Sequence, residues 1–431
     1  MTSPLTYTQR ALALFSAGSN GEYGIPDGDA PVLERGRGCR VWDTEGREYL
    51  DLTMAWGAAL VGHAHPKVVE AARVAALDGG NFAALNRRAV ELAERIAALS
   101  PCAERIRLVT SGSEATLLCL RIAHAATGRP KVVKFEGAYH GQHPVGVAGM
   151  IHSRPTTLPE CDPAGAGAAW VERDLLVAPY NDLERTRQIL EAHASEVAAV
   201  IVEPFHRCIR PLPGFLEGLR AVTRRLGIAL IFDEVVTGFR LAPGGAQEYY
   251  GVQPDLVAYG KALGGGFPIG VCAGRRELME AVNEHRLPGP NYAWSASTAG
   301  GNPVSCAAAL ATLDVLCQPG IHAALHASGD RFRATLRSAL VAAEETGQVL
   351  GDGPMAQLAF SPVPIVDQST WLASNRARGR ALMLKLLRQG VFLNPMGTKL
   401  YLSIAHEDAV LDELGNRITT ALRATRPGEP R

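Results

Sequence analysis

The sequence contains no C-x-x-C pair; its eight cysteines, Cys39, Cys102, Cys119, Cys161, Cys208, Cys272, Cys306 and Cys317, are scattered singly. That spacing argues against a zinc site and a disulfide framework, and reads as reduced thiols in a cytosolic protein. Charge of neither sign is in excess, since Lys plus Arg and Asp plus Glu both number 43. Nucleic acid and an anionic membrane surface are therefore not expected as main partners, and a small neutral or zwitterionic ligand fits better. No apolar run approaches the length of a membrane span, and the opening "MTSPLTYTQRALALFSAG" has no apolar core behind a basic start. A cytoplasmic protein without a membrane anchor is the expectation. Internal repeats and low-complexity tracts are absent. So are three ligand signatures: G-x-G-x-x-G, G-x-S-x-G and G-x-x-x-x-G-K-[ST], the only Gly-Lys pair, Gly260 and Lys261, running into Ala262.

What is present is an ordinary globular composition, 47% apolar and 20% charged over 431 residues, enough for two or three domains around a large core. Short apolar runs rich in β-branched residues recur at 106–110, 131–135, 197–204 and 228–235, and helix-like stretches lie between them at 114–126 and 214–227. Near-continuous apolar strands alternating with amphipathic helices predict an α/β domain with a mostly parallel sheet covered on both faces. Residues 30–52 read as two or three short strands, and the chain from about 317 onward alternates helix, strand and helix. The expected division is an N-terminal segment 1–60 contributing to a small α+β domain, a large ligand-binding α/β domain 61–316, and the rest of the small domain from 317–431.

Four motifs bear chemistry. "IALIFDEVVTGFR" is an apolar strand ending in Asp233 and Glu234; with no phosphate-loop partner it is not a nucleotide hydrolase strand, and alone Asp233 could simply cap the next turn. "VTSGSEATLLCLRIA" carries Ser111, Gly112 and Ser113 between a strand and a helix, where backbone N–H groups and the positive helix end suit a phosphate, although an ordinary serine N-cap looks the same. "FEGAYHG" places Tyr139 and His140 after a strand end, able to offer a flat aromatic face. "YGKALGGGFPIG" sets Lys261 before Gly264, Gly265 and Gly266, as if the backbone must turn sharply near a ligand. A carboxylate, a phosphate cradle, an aromatic plate and a lysine together describe pyridoxal 5′-phosphate, whose aldehyde takes a lysine Schiff base and whose ring nitrogen needs a carboxylate to stay protonated.

The order of "VWDTEGREYLDL", "GHAHPKV", "TSGSEAT", "KFEGAYHG", "IVEP", "IFDEVVTGFR", "YGKALGGGFPIG", "GGNPVSCAAALATLDVL" and "LSIAH" resembles class III aminotransferases of the fold type I pyridoxal-phosphate enzymes, near the glutamate-1-semialdehyde aminomutase branch. The resemblance implies a seven-stranded, mostly parallel sheet domain with a smaller domain built from both termini. It implies that Lys261 holds the cofactor and moves the substrate proton, that Asp233 pairs with the ring nitrogen, and that Val235, on the same strand, and Tyr139 press on opposite ring faces. Gly112 and Ser113 hold the phosphate, Thr298 matches a threonine that completes the neighbouring subunit's phosphate site, so a homodimer is expected, and Glu203 joins a network beside the cofactor. His63, His65, His140 and His143 are expected to be structural rather than metal ligands. Arg220, Arg224 and Arg225 read as a solvated helix side.

The substrate grip departs from the aminomutase pattern. That branch has an arginine shortly after the N-terminal segment, where this chain has Glu22, Tyr23 and Gly24, and an acidic residue before the last segment, where it has Thr398 and Lys399. The preferred reading is a true aminotransferase with an amine or amino-acid donor and a keto or aldehyde acceptor. An aminomutase, a racemase or decarboxylase on the same fold, and a non-catalytic cofactor-binding sensor remain alternatives. Arg207 and Arg210 are candidates for gripping a carboxylate, Trp56 for an apolar wall, and Glu22 for a polar or amine substrate.

Overall fold

The computed structural model describes residues 5–16, 25–26, 29–151, 153–154, 156–287, 289–393 and 399–425. The chain divides into two units, one of residues 66–322 with 366–369, the other of the described residues up to His65 with 323–365 and those from 370 onward.

The second of these units starts with three short strands, β1 Leu33–Arg37, β2 Arg40–Asp43 and β3 Glu48–Asp51, paired antiparallel as a meander with the turn at Thr44 to Gly46. After β3 the backbone of Met54, Ala55 and Trp56 takes three successive left-handed conformations, with φ of 46°, 51° and 59°. The buried Asp51 carboxylate accepts the N–H groups of Thr53 at 2.7 Å and Met54 at 2.9 Å, and its other oxygen meets His63 Nε2 at 2.7 Å, so that residues over-determine an otherwise costly turn. His63 is thereby a structural histidine.

The larger unit holds a seven-stranded sheet made of β4 Arg105–Val109, β5 Lys131–Phe135, β6 Leu175–Ala178, β7 Val197–Val202, β8 Ala229–Asp233, β9 Leu256–Tyr259 and β10 Gly270–Gly274, in the order β4-β10-β9-β8-β7-β5-β6. Strands β9, β8, β7, β5 and β6 pair parallel, whereas β10 runs antiparallel to both β4 and β9. Every residue of β7, β8 and β9 is buried, as a sheet covered on both faces requires. Three strands escape a reading of apolar runs: β6, β9 and β10 are only four or five residues long, and β10 begins and ends in glycine. The helix Phe215–Leu226 corrects one expectation: Arg220 pairs with Asp255 Oδ2 at 2.7 Å, and Asp255 also accepts Leu230 N–H, tying the helix to the start of β8. Arg225 pairs with Glu191, and Arg224 is exposed.

The smaller unit's remaining strands are β11 Gln348–Leu350, β12 Met355–Ala359, β13 Val391–Phe392 and β14 Lys399–Tyr401. Strand β13 joins β3 in parallel, and β11, β12 and β14 form a second sheet. Helices Arg376–Arg388 and Asp408–Ala424 cover them around a core including Phe332, Leu382, Leu402 and Leu414. No single helix among the described residues is long and apolar enough to cross a membrane.

Candidate active site

Five parallel strands deliver chemistry-bearing residues at their carboxyl ends. Strand β4 runs into Ser111, Gly112 and Ser113; β5 into Tyr139 and His140; β7 into Glu203; β8 ends on Asp233; and β9 runs through Gly260 to Lys261. The crevice outside the carboxyl ends of parallel strands is where open α/β sheets bind ligands.

At its centre Asp233 Oδ2 lies 2.7 Å from His140 Nδ1, with both side chains almost wholly buried. Oδ1 accepts the Val235 N–H at 3.1 Å. Val235 is not on the strand, as the motif suggested: β8 stops at Asp233, and this Asx-type bond turns the chain so that Val235 folds over the site. Its side chain closes on the start of the helix Gly112–Thr127, where a Cβ at Gly112 would lie 2.6 Å from Val235 Cγ1. Gly260, beside Lys261, sits against the same two residues, a Cβ there standing 3.4 Å from Val235 Cγ1 and 3.5 Å from Gly112 Cα. The lysine, the aspartate and the helix N-terminus therefore share one small volume.

The helix start is itself well held. Ser111 is the N-cap, its hydroxyl accepting the Glu114 N–H at 3.2 Å, while the Glu114 carboxylate takes the N–H and hydroxyl of Thr110. Ser113 Oγ accepts the Gln142 N–H at 3.1 Å, and Gly141, at φ 110°, passes so close that a Cβ would stand 2.6 Å from Ser113 Cα. Only glycine suits that crossing. The glycine run after Lys261 turns the chain as expected, Gly265 at φ 57° and Gly266 at φ 103° taking left-handed backbone, and Gly265 also packs toward Thr312 of the helix Pro303–Leu316, where a Cβ would come within 2.3 Å of its hydroxyl. Its smallness serves helix packing.

Glu203 accepts the Tyr139 N–H at 3.2 Å and the Arg207 N–H at 3.3 Å. Arg207 turns back, donating from Nε and Nη2 to the Gly137 carbonyl at 3.2 and 2.9 Å. That edge of its guanidinium is spent on the loop, so a two-pronged grip on a carboxylate through it is not formed. Arg210 is exposed, and its carbonyl accepts from Asn181. Thr298 is exposed on the chain before the helix Pro303–Leu316, its carbonyl held by Asn81 Nδ2 at 2.7 Å. Trp56 and Lys399 belong to the other unit, while Glu22 and Thr398 lie outside the described residues.

Three buried titratable groups lie beside the site that the motifs gave no part in it, and only Lys134 among them went unnamed in the sequence. Glu234, next to Asp233, accepts from the N–H groups of Ala246 and Gln247 and from Thr237 Oγ1; burial pushes its pKa up to about 7 despite those donors. Gln247 Nε2 bridges it to the Tyr259 hydroxyl at 2.7 Å, two residues before Lys261. His143 caps its own turn, Nδ1 accepting the Gly146 N–H, and burial with His140 nearby pushes its pKa down to about 4. Lys134 is buried in β5 and held down to about 7 by desolvation. A lysine inside the apolar run "KVVKF" is the one signal that could have marked it.

These residues fit pyridoxal phosphate on two counts. His140 Nε2 is buried with no hydrogen-bond partner among the described residues, the mark of a polar group facing something that is not protein. The absent side chain at Gly112 lets Val235, two residues beyond Asp233, pack directly on the start of this helix, so that its first-turn N–H groups and positive end lie beside the chain leaving β8, where a phosphate would be favoured.

Known proteins agree with that geometry. The family model of "Aminotransferase class-III" matches residues 26–422. A glutamate-1-semialdehyde 2,1-aminomutase of Desulforudis audaxviator is 41% identical over 390 residues, covering 89% of this chain and 88% of the relative. The crystal structure of an omega-transaminase from Sphaerobacter thermophilus superposes with a TM-score of 0.92 at 32% identity, covering 98% of this chain and 97% of the other. A transaminase with PLP bound gives a TM-score of 0.88 at 27% identity, covering 97% and 96%.

Proposed function

The chain belongs to the class III aminotransferase family, and we propose that within it this enzyme moves an amino group between two separate molecules, from an amine or amino-acid donor to a keto or aldehyde acceptor. It is a pyridoxal-phosphate enzyme of the fold type I architecture. The observation that carries the reading is the convergence of Asp233, Lys261 and the helix Gly112–Thr127 at the carboxyl ends of parallel strands.

When bound, pyridoxal phosphate supplies an electron sink for the pair left on the amine-bearing carbon as its proton departs. The protein's part is placement and proton handling. Asp233 is assigned to the ring nitrogen, keeping it protonated, with His140 Nδ1 fixing the carboxylate's orientation. The N–H groups of Gly112 and Ser113 and the Ser113 hydroxyl are assigned to the phosphate, where the helix dipole favours negative charge. Val235 and Tyr139 are assigned to the two ring faces, and Glu203, through the Tyr139 N–H, sets the second of them. Lys261 Nζ is the group assigned to hold the cofactor and, once released, would move the proton between the amine-bearing carbon of the substrate and the cofactor's C4′ carbon.

A homodimer follows from Thr298, which is assigned to the partner's phosphate. Supporting it, Thr298 is exposed in the single chain, four residues after Trp294, which is 59% exposed, and its carbonyl is bonded to Asn81, next in sequence to Phe82, 51% exposed. Large apolar side chains exposed in this way mark contact surfaces. The free cysteines are in keeping with a reducing cytoplasm.

The competing reading is intramolecular transfer, favoured by the 41% identical aminomutase. The test is a single-substrate reaction: purified enzyme is mixed with one amine at a time and no acceptor. Loss of the visible cofactor band with one carbonyl product per bound cofactor is the expected result. Turnover of glutamate-1-semialdehyde to an isomer without any second substrate, and no response to other amines, would replace it with the aminomutase reading.

A further inference from the structure

Lys134 is a cation with no business in a sheet core. It lies fourth of five residues in β5, and its side chain is fully buried. Charged lysines in such places are normally paired with a carboxylate. Here Nζ instead donates to backbone carbonyls: Ala138 at 3.0 Å, Val145 at 3.3 Å, Gly146 at 3.0 Å and Ala148 at 2.7 Å. All come from one loop, the segment that leaves β5 and carries Tyr139 and His140. Lys134 is thus the hub around which that loop is wrapped.

The wrapping reaches the two site residues directly. Gly146 O, one of the ammonium's acceptors, also accepts the His140 N–H at 3.0 Å. Ala138 O belongs to the peptide joining Ala138 to Tyr139. The Thr116 hydroxyl, from the helix Gly112–Thr127, donates to His140 O, and within the loop His143 Nε2 lies 3.1 Å from the same oxygen. An ammonium has three N–H donors, enough to satisfy this crown with one shared contact; a methylene chain of the same length has none, and would leave several buried carbonyls unpaired.

We propose that Lys134 is a positioning residue for the cofactor: its ammonium, bonded to the carbonyls of Ala138, Val145, Gly146 and Ala148, sets the loop that brings Tyr139 and His140 to the ring. The inference rests on the reading above that these two residues face the cofactor. Lys134 itself touches neither cofactor nor substrate in this scheme. It acts through the loop.

The experiment compares wild type, K134M, Y139A and the double variant K134M plus Y139A. Each is stripped of cofactor and titrated with pyridoxal phosphate, reading the dissociation constant and the visible circular dichroism of the bound cofactor, with thermal unfolding of each apoprotein alongside. Expected are a dissociation constant raised about tenfold or more and a weakened visible dichroism in K134M, a similar change in Y139A, and a double variant whose loss falls well short of the two single effects multiplied, because both changes act on the placement of one loop and only the part owed to His140 is left to lose. Multiplying effects in the double variant, or wild-type dichroism and affinity in K134M, would overturn the proposal by showing that Lys134 only supports the fold. Wild-type values in Y139A would instead overturn the placement of Tyr139 on the ring, and the proposal with it. Should K134M not fold, K134Q, which keeps two N–H donors, reads the same quantities: values between wild type and Y139A support the role, and wild-type values exclude it.

Discussion

At the scale of the residue, the site depends on a few contacts that single substitutions can address. Asp233 has one oxygen on His140 and the other on the Val235 N–H, so D233N keeps the shape while removing the charge assigned to the ring nitrogen. The expected outcome is a fall in kcat of about 100-fold or more, with near-normal cofactor content, read by stopped-flow half-reactions. K261A should lose the visible band of lysine-held cofactor and at least about 100-fold of turnover; a variant that turns over like wild type would place the proton carrier elsewhere. Gly112→Ala sends a methyl group 2.6 Å from Val235 Cγ1. Overpacking of this kind costs about 1–3 kcal/mol, expected here as weaker pyridoxal-phosphate binding in an equilibrium titration. Asp233, Lys261 and Gly112 were legible because each breaks the composition of its surroundings: a carboxylate ending an apolar strand, a lysine ahead of glycines, a glycine opening a helix. The Asp233–His140 pair was not, since its partners are 93 residues apart and nothing local encodes the contact.

Among the elements, the strands and helices that could be foreseen were those long enough to show their period. Strand β7 and the helices Gly112–Thr127 and Phe215–Leu226 announce themselves through apolar runs and caps. Strands β6, β9 and β10 do not: β6 and β9 are only four residues long, and β10 begins and ends in glycine and takes its place from β4 and β9 on either side. One element gives a pH-dependent prediction. His406, just before the helix Asp408–Ala424, accepts the Ser403 N–H on Nδ1 at 3.0 Å and donates from Nε2 to Asp51 O at 3.1 Å. It is thereby fixed as the neutral tautomer, and burial pushes its pKa down to about 4. A depressed pKa means that the folded state resists the proton the unfolded chain accepts. This contribution is complete above about 6.5 and is lost as pH falls toward 4, amounting to about 3 kcal/mol at most. Denaturant unfolding of wild type and H406N at pH 7.5 and pH 4.5 should therefore show the variant's deficit shrinking at the lower pH. A deficit that stays constant would mean that His406 takes up its proton as readily in the folded chain as in the unfolded one, so that its pKa is not depressed.

For the whole molecule, the test of assembly is mass in solution combined with Thr298. A dimer is expected by light scattering, and T298A should weaken cofactor binding without unfolding the chain; a monomer with full cofactor affinity would remove the shared-site reading. By itself the sequence determined the chemical inventory, namely the serines, glycines, aspartate, aromatic residue and lysine that lie after the strands and are proposed to hold the cofactor. It also determined the α/β alternation, because hydrophobic period and capping are local properties. Only the tertiary structure decided which of those residues meet. The strand order puts β8 between β7 and β9, with β10 turned against its neighbours, and so brings the ends of five strands to one edge. It also decided that Val235 leaves its strand, that Arg207 spends itself on Gly137, and that Lys134 faces a crown of carbonyls rather than solvent. Those outcomes depend on burial and on partners far along the chain, and no local pattern of residues carries that information.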